Sequence, residues 1–414
     1  FDSVKVISDI VYGSNFTYDA TQAQVGLTRE DQLLDIYLPA DTDKTIKRPL
    51  IIFAHGGSFI NGTKLDGDIV YFCNEFAKRG YATASISYRL GYEQPLDSQN
   101  AVRAVYRALQ DGRAAIRYMR ANADSFQIDP NRIFMGGTSA GALIAINVGY
   151  LNLPSEVPSY VDTSAHSMLN PMGLDGIEGK TNNINVPSTI SGIINFCGAT
   201  KTTAWMEDAY SRSLPIISMH GTEDQTVPYG TDFVYVNRLL GLDQPDIPLI
   251  KVQGSYPIHQ KAQELGIPNA FYTWCAAPHV PYIGSDSAAK AYMDTLISFT
   301  NRGIYEKLMP CGFTPGYETN SSACFTTTAI NPVKAETINL TVYPNPVNND
   351  LMVNTDIKGE YTVKVYNLAG QKMMEYQGLI GETNKINTAN LSSGSYFIRI
   401  ENNTGTTFNK FIKN

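Results

Sequence analysis

A serine lies at the centre of a short glycine-rich segment, Gly137–Gly141, whose sequence is GTSAG. The segment follows the apolar stretch 133–135 and precedes the helix-like run 142–151. A serine on a sharp turn between strand and helix projects its hydroxyl group out of the sheet, and glycines two positions away on either side relieve crowding. The motif alone is weak, because glycine and serine are common, but its surroundings predict that Ser139 is a nucleophile.

A second glycine-rich segment, His55–Phe59 (HGGSF), ends the apolar stretch 50–54. Acyl transfer develops negative charge on a carbonyl oxygen, and backbone N–H groups held in place stabilise that charge. We expect the amides of Gly57, Ser58 and Ala140 to form this oxyanion hole. A plain glycine-rich turn is the alternative, and His55 itself is expected to organise the loop rather than act as a base.

A nucleophilic serine needs a general base, and five histidines are available. His279 follows the strand-like stretch 271–275 in a loop that can return to Ser139, and we predict that it is the base. His259 lies in a helical stretch and is expected to be solvated. His166 falls in an irregular segment, and His220 lies at a strand end directly before a glycine.

The carboxylate that orients the base is expected just after the strand 216–219, in the segment His220–Asp224. Asp224 would then lie in the loop after the strand that precedes the strand leading to His279. The adjacent Glu223 is the competitor, since some triads use glutamate. The spacing favours Asp224.

Residues 1 to about 305 alternate between strand-like and helix-like patterns. Short apolar runs at 49–54, 81–88 and 132–135 are typical of buried parallel strands. Between them, apolar residues from Val102 to Met119 recur on one face of a long helix. This alternation predicts the α/β class, with a mostly parallel central sheet flanked by helices.

With these residues, the first three-quarters of the chain resembles the α/β-hydrolase superfamily. It is most similar to carboxylesterases with an HGG(G/S) motif, and the order Ser139, Asp224, His279 agrees with that superfamily. Further similarity lies around the predicted second helix, at 76–81 and 87–91. It also lies before the strand–turn–helix elbow that contains GTSAG, at 110–117 and 128–133.

The resemblance implies a serine esterase that works through a Ser-His-Asp triad and an acyl-enzyme, with no metal or cofactor. It implies a carboxylic ester as substrate, such as acyl or feruloyl esters of polysaccharides or polyesters, which the sequence cannot rank. An amidase or peptidase of the same fold, or a non-catalytic binding module on this scaffold, are the alternatives. The irregular stretch 152–186 is expected to cover part of the site. Five aromatic residues near it could line an acyl pocket or serve ordinary packing: Phe59, Tyr88, Trp205, Tyr229 and Tyr282.

Composition excludes two classes of partner. The formal net charge of -7 leaves no excess of basic residues for nucleic acid. No apolar run approaches the roughly 20 residues that a membrane-spanning helix needs. The pattern changes after Leu308, which predicts a catalytic domain at 1–308, a linker at 309–338 and a small all-β sandwich at 339–414.

Residues 339–414 resemble the type IX secretion C-terminal sorting domain. Four motifs carry the resemblance in the family's order: 342–346 (VYPNP), 365–371 (VYNLAGQ), 391–396 (LSSGSY) and 410–413 (KFIK). The resemblance implies a partner in the secretion machinery and a secreted or cell-surface protein of a Gram-negative bacterium. A carbohydrate-binding sandwich is the alternative. Export would favour a Cys311–Cys324 disulfide over five free thiols.

Overall fold

The chain divides into two units, Phe1–Thr327 and Thr328–Asn414, in a computed structural model. The structure describes residues 1–19, 24–40, 47–167, 170, 173–241, 245–308, 339–367, 372–402 and 405–414. The predicted linker, 309–338, lies outside these residues, and the predicted Cys311–Cys324 disulfide lies outside them with it.

The first unit contains eleven described strands and seven described α-helices. The strands are β1 (Val4–Asp19), β2 (Gln24–Pro39), β3 (Arg48–Ala54), β4 (Ala82–Ile86), β5 (Ile128–Thr138), β6 (Gly192–Phe196), β7 (Ala199–Thr200), β8 (Ile216–Gly221), β9 (Thr231–Tyr235), β10 (Pro248–Gly254) and β11 (Asn269–Trp274). The helices are α1 (Gly67–Lys78), α2 (Ser98–Ala121), α3 (Ala140–Tyr150), α4 (Ala209–Ser213), α5 (Val236–Leu239), α6 (Ser255–Leu265) and α7 (Ser287–Leu308).

An eight-stranded sheet organises this unit, with strand order β1-β2-β4-β3-β5-β6-β8-β11. The five pairs from β4 to β11 are parallel, and β2 is antiparallel to both of its neighbours. The prediction of an α/β class with a mostly parallel sheet is therefore confirmed. The register of β1 on β2 is irregular at three places, between Ile7 and Ile10, Val11 and Gly13, and Phe16 and Tyr18.

Both faces of the sheet are buried, which explains why its central strands are continuously apolar. On β3, Leu50 and Ile52 belong to the core layer that contains α2 and α3. Ile51 and Phe53 point to the opposite face and join the layer with α1 and α7. Alternate residues of one strand thus stabilise two helix layers, and the strand ends between those layers carry the site.

A small antiparallel sheet, β7-β10-β9, pairs β7, which follows β6 in the chain, with a β9–β10 insertion between β8 and β11. The sequence patterns did not predict it, because β9 has only one buried residue, Val234. The insertion places α6 against β8 and β11. His259 on α6 is only 7% exposed, so the expectation that it is solvated is wrong.

The second unit consists of two antiparallel sheets around one hydrophobic cluster. Its strands are β12 (Leu340–Tyr343), β13 (Asp350–Thr355), β14 (Tyr361–Asn367), β15 (Lys372–Leu379), β16 (Thr383–Asn387), β17 (Gly394–Asn402) and β18 (Gly405–Lys413). The sheets have the orders β12-β13-β16 and β15-β14-β17-β18. Alternating residues such as Val363 and Val365 on β14 point into the shared core, as the predicted all-β unit requires.

Three cysteines lie in described residues of the first unit. Cys73 and Cys197 are free and buried, whereas Cys275 is disulfide-bonded. No helix in the described part of the chain has both the length and the apolar character to cross a membrane.

Candidate active site

Ser139 lies on the turn that joins β5 to α3. Its backbone adopts φ 54° and ψ -116°, a conformation that side chains rarely take. The amide of Ser139 donates to the carbonyl of Phe196 at the end of β6, at 2.9 Å, which anchors the turn to the neighbouring strand. Strain of this kind, held in place by the surrounding structure, is typical of functional positions.

The glycines on either side of Ser139 are required by close approach of the backbone to β3. A Cβ atom at Gly137 would lie 2.5 Å from the carbonyl oxygen of Ala54. A Cβ atom at Gly141 would overlap that same oxygen and lie 2.7 Å from the carbonyl oxygen of His55. The GTSAG spacing therefore lets the end of β3 and the start of α3 pack together.

We expect Gly141→Ala to lower the free energy of unfolding by about 1–3 kcal/mol, because the added methyl group meets backbone that cannot move aside. Urea unfolding checks this. Gly67→Ala is the matched control, since a Cβ atom there has no neighbour within 4 Å, and we expect a change within about 0.5 kcal/mol. Equal midpoints for the two variants would contradict the packing argument.

The structure brings the three predicted triad residues together. His279 Nε2 lies 2.9 Å from the Ser139 Oγ, and His279 Nδ1 lies 2.6 Å from Oδ2 of Asp224. Ser139 is 7% exposed and Asp224 8% exposed. The serine hydroxyl can donate to Nε2 while Nδ1–H donates to the carboxylate, which is the arrangement that a serine nucleophile needs.

Two loops that are bonded to each other hold Asp224 and His279. Backbone amides of the first loop, at Thr222 and Glu223, donate to the carbonyls of Trp274 and Ala277, each at 3.0 Å. The amide of Ala276 donates back to the Thr222 Oγ1 at 2.8 Å. Glu223, the alternative carboxylate, is exposed to solvent.

Asp224 accepts four hydrogen bonds. Its Oδ1 accepts from the amides of Thr226 and Val227, each at 2.9 Å. Its Oδ2 accepts from His279 and, at 3.0 Å, from Nε2 of His220. Burial raises the pKa of the carboxyl group, but the hydrogen bonds from the two histidines outweigh burial and lower that pKa well below its ordinary value.

The HGGS segment forms a loop beside Ser139. Gly57 and Ser58 both have positive φ, 97° and 56°. Among the described residues, no protein acceptor receives the amide hydrogens of Gly57 and Ser58. Ala140 begins α3, so its amide also lacks an acceptor within the helix. These three amides are thus available to bind an anionic oxygen.

Two tyrosine hydroxyls hold the carbonyl groups of this loop. The Tyr88 hydroxyl donates to the carbonyls of His55 and Gly56, at 2.9 Å and 3.1 Å. The Tyr92 hydroxyl donates to the carbonyl of Ser58 at 2.6 Å. Tyr88 was predicted only as a pocket or packing residue, and Tyr92 was not predicted at all. The sequence of a loop does not reveal where a hydroxyl group points.

His55 lies under the same loop. Its ring is fully buried and stacks on Tyr88 with centroids 4.2 Å apart, and burial lowers its pKa. Nδ1 lies 2.7 Å from the carbonyl of Gly56. These contacts fit the predicted organising role. The position of His220 at a strand end is visible in the sequence, but its contact with Asp224 is not.

Ser139 opens into a partly enclosed cavity with mostly apolar walls. The walls come from α2, the start of α3, the β9–β10 hairpin and Trp205. Lining side chains include Phe59, Val102, Val105, Leu109, Leu143, Trp205, Val234, Leu249, Ile250 and Val252. Such a cavity suits an apolar group attached to the reacting carbonyl.

Of the five aromatic candidates, Phe59 and Trp205 line this cavity. Tyr88 binds loop carbonyls instead. The Tyr229 hydroxyl is hydrogen-bonded to the Thr273 hydroxyl, and its ring stacks on Phe271. The Tyr282 hydroxyl donates to Thr138, next to Ser139 in the chain. For these three, the packing alternative is correct.

The stretch 152–186 contributes little to the cavity among its described residues, with Pro158 in the lining. Several of its described polar contacts are with α2. Gln110 donates to Gly176, and Arg117 forms an ion pair with Glu178 at 2.8 Å. We expected the stretch 152–186 to cover part of the site. Among its described residues, Pro158 lines the cavity.

One group of three potential metal ligands occurs among the described residues, namely Cys197, Asp224 and His279, with ligand atoms within 4.8 Å of one another. Burial raises the pKa of the Cys197 thiol, which disfavours the thiolate that binds metals. Both nitrogens of His279 already contact Ser139 and Asp224. This donor set fits proton transfer rather than metal ligation.

The sheet order, the elbow and the Ser-His-Asp geometry together define the α/β-hydrolase class. Residues 34–237 match the family model of the BD-FAE α/β-hydrolase esterase domain, and residues 341–414 match that of the secretion system C-terminal sorting domain.

Curated relatives of the first unit include esterases. Esterase LipC of Mycobacterium tuberculosis is 24% identical over 240 residues, which cover 54% of this chain and 56% of the relative. Gut esterase 1 of Caenorhabditis elegans is 30% identical over 99 residues, 24% of this chain and 18% of the relative. The chain thus spans about half of the first relative and less than a fifth of the second.

A solved structure similar to this chain is a thermophilic esterase from Thermogutta terrifontis with propionate bound. The match has a TM-score of 0.46 and 18% sequence identity, and covers 74% of this chain and 94% of that one.

Proposed function

We propose that this protein is an exported serine carboxylesterase that cleaves esters of apolar acyl groups. The observation that carries the proposal is the continuous contact from Ser139 through His279 to Asp224, at the wall of an apolar cavity. The esterase family of residues 34–237 supports it.

In the first half of the reaction, His279 Nε2 takes the proton of the Ser139 hydroxyl as Oγ attacks the ester carbonyl. The carbonyl π bond becomes an anionic oxygen, which the amides of Gly57, Ser58 and Ala140 stabilise. His279 then gives its proton to the departing alkoxide, and the C–O bond breaks to leave an acyl-enzyme. Asp224 stabilises the imidazolium throughout.

In the second half, water occupies the place of the alcohol. His279 removes a proton from the water, whose oxygen attacks the acyl carbon, and the proton then returns to Ser139 as the acid leaves. No proton acceptor beyond His279 is needed. The chain's own residues supply every group that these steps require.

The cavity walls support an apolar acyl group as the part of the substrate that is recognised. Burying each CH₂ group contributes about 0.8 kcal/mol, so activity should rise with acyl length until the cavity is full. Feruloyl esters of polysaccharides and synthetic polyesters also present apolar acyl groups and belong in the same comparison.

The test is a panel of p-nitrophenyl esters from acetyl to dodecanoyl, with a feruloyl ester, acetylated xylan and a matched p-nitroanilide. We expect hydrolysis to peak at an intermediate acyl length and the anilide to react far more slowly. An organophosphonate should label Ser139, located by peptide mass spectrometry. Failure to cleave any ester, together with an unlabelled Ser139, would overturn the proposal.

We expect Val105→Trp to shift acyl preference, because Val105 is half-buried on α2 and lines the cavity. The indole ring would fill space that a long acyl chain needs. The ratio of kcat/KM for the octanoyl ester to that for the acetyl ester should fall about tenfold. Val11→Trp, at an exposed position on β1, is the control, and an unchanged ratio at Val105→Trp would contradict the cavity assignment.

The sorting domain supports export by the type IX machinery and a secreted or cell-surface location. A Gram-negative bacterium is the expected host, since the pathway crosses an outer membrane. Deleting residues 339–414 in such a host should retain the esterase inside the cell, measured as activity in medium, surface and lysate fractions.

A further inference from the structure

The catalytic carboxylate contacts a second histidine on the side away from solvent. His220, near the end of β8, is fully buried. Its Nε2 lies 3.0 Å from Oδ2 of Asp224 and 3.0 Å from the carbonyl oxygen of Val227. Because the ionised carboxylate and the carbonyl can only accept, Nε2 must carry a hydrogen.

The other ring nitrogen of His220 faces a hydroxyl group. Nδ1 lies 2.7 Å from Oγ of Ser255, the first residue of α6. That oxygen accepts from the side-chain amide of Asn195 at 2.9 Å. Its own hydrogen can donate to Nδ1, which is nearer than the other acceptor within reach, the carbonyl of Gly198 at 3.4 Å. With a hydrogen on Nε2 and an acceptor at Nδ1, both ring nitrogens of His220 are paired in this buried hydrogen-bond network.

We propose that His220 is a positioning residue, which holds Oδ2 of Asp224 in the orientation that receives Nδ1–H of His279. This inference rests on the proposed esterase function. It assigns to Ser255 and Asn195 the supporting role of fixing the tautomer of His220.

The reason lies in how Asp224 can move. A carboxylate rotates about its Cβ–Cγ bond, and the amides of Thr226 and Val227 hold only Oδ1. Without His220, the one described hydrogen-bond partner of Oδ2 would be His279. The Nε2 atom of His279 gains and loses a proton during the proposed reaction. Burial of both side chains keeps bulk water from replacing the lost donor.

Among the described residues, the other groups next to His220 and Asp224 offer no good substitute donor. The Tyr229 ring packs edge-on against His220 with centroids 5.7 Å apart, and its hydroxyl contacts Thr273. Cys197, near Asp224, has a buried thiol that is a weak donor. The orientation of Oδ2 therefore depends on His220.

The test compares two amides at position 220. Glutamine places an N–H near the position of Nε2, whereas asparagine places one near Nδ1, so only His220→Gln can restore the bond to Asp224. We expect His220→Asn to lower kcat about 10- to 100-fold with KM within about twofold, and His220→Gln to stay within about fivefold of wild-type kcat.

Turnover is expressed per active site titrated with an organophosphonate, so unfolded protein does not count. His259→Asn is the matched control, because His259 is a buried histidine that makes no described contact with Asp224. It should lose stability but keep kcat per titrated site. A wild-type kcat in His220→Asn, or an equal loss in His220→Gln, would overturn the inference. A wild-type enzyme that reacts with no organophosphonate would instead contradict the proposed function.

Discussion

We expect the Ser139→Ala variant to lose at least about 10⁴-fold in kcat/KM for a p-nitrophenyl ester, because no acyl-enzyme can form without the hydroxyl group. The substitution keeps a Cβ atom at a position with positive φ and adds no atom, so backbone strain is unchanged. The free energy of unfolding should therefore stay within about 1 kcal/mol of the wild-type value.

The matched control is Ser213→Ala, at an exposed position at the end of α4, which should retain wild-type rates. The loss at Ser139 should be accompanied by loss of covalent labelling by an organophosphonate. Full turnover in Ser139→Ala, with labelling at another serine, would place the nucleophile elsewhere.

Asp224→Asn should lower kcat by about 10⁴-fold, by reversing the tautomer of His279. The two amide donors at Thr226 and Val227 require an acceptor at the Oδ1 position, so the new side chain must place its oxygen there. Its NH₂ group then faces His279 Nδ1, which can only accept from it if the ring hydrogen moves to Nε2. A protonated Nε2 cannot take the hydrogen of Ser139.

The Glu223→Gln variant tests whether Asp224, rather than the adjacent Glu223, is the carboxylate that orients His279. Glu223 is exposed, and its amide rather than its carboxylate takes part in the loop contact with Ala277. We expect kcat within about twofold of wild type for this variant, measured under the same conditions. A large loss in Glu223→Gln combined with normal kcat in Asp224→Asn would exchange the two roles.

Local motifs explain why the turn at Ser139 and the loop beside it could be predicted from sequence. The GTSAG turn and the HGGS segment are each no longer than five residues, so each motif can be read from the local sequence. Their glycines mark the places where two backbone segments must approach closely. Predicting the positions of Asp224 and His279 also required the rule that the ends of parallel strands meet at one edge of the sheet. The structure brings both together there.

Other features depended on side-chain direction or on inserted elements. His220 lies in the same segment as Asp224, but its second partner, Ser255, comes into reach only through the β9–β10 insertion. The hairpin itself has mostly exposed residues on β9, so its sequence lacks the apolar alternation that predicts a strand. Likewise, burial of His259 follows from the packing of α6, which its own sequence does not specify.

The irregular register of β1 bears on how the protein behaves at high concentration. β1 forms one edge of the large sheet and carries exposed apolar side chains at Val6 and Val11. A long regular edge of this kind is a template for pairing with the same edge of another molecule. The three register shifts interrupt the row of unpaired backbone groups, and such bulges bend a strand away from a flat partner. Residues 181–182 also bond this edge, because the amide of Ser14 donates to the Thr181 Oγ1 at 2.8 Å. Both features disfavour pairing of this edge with a second molecule.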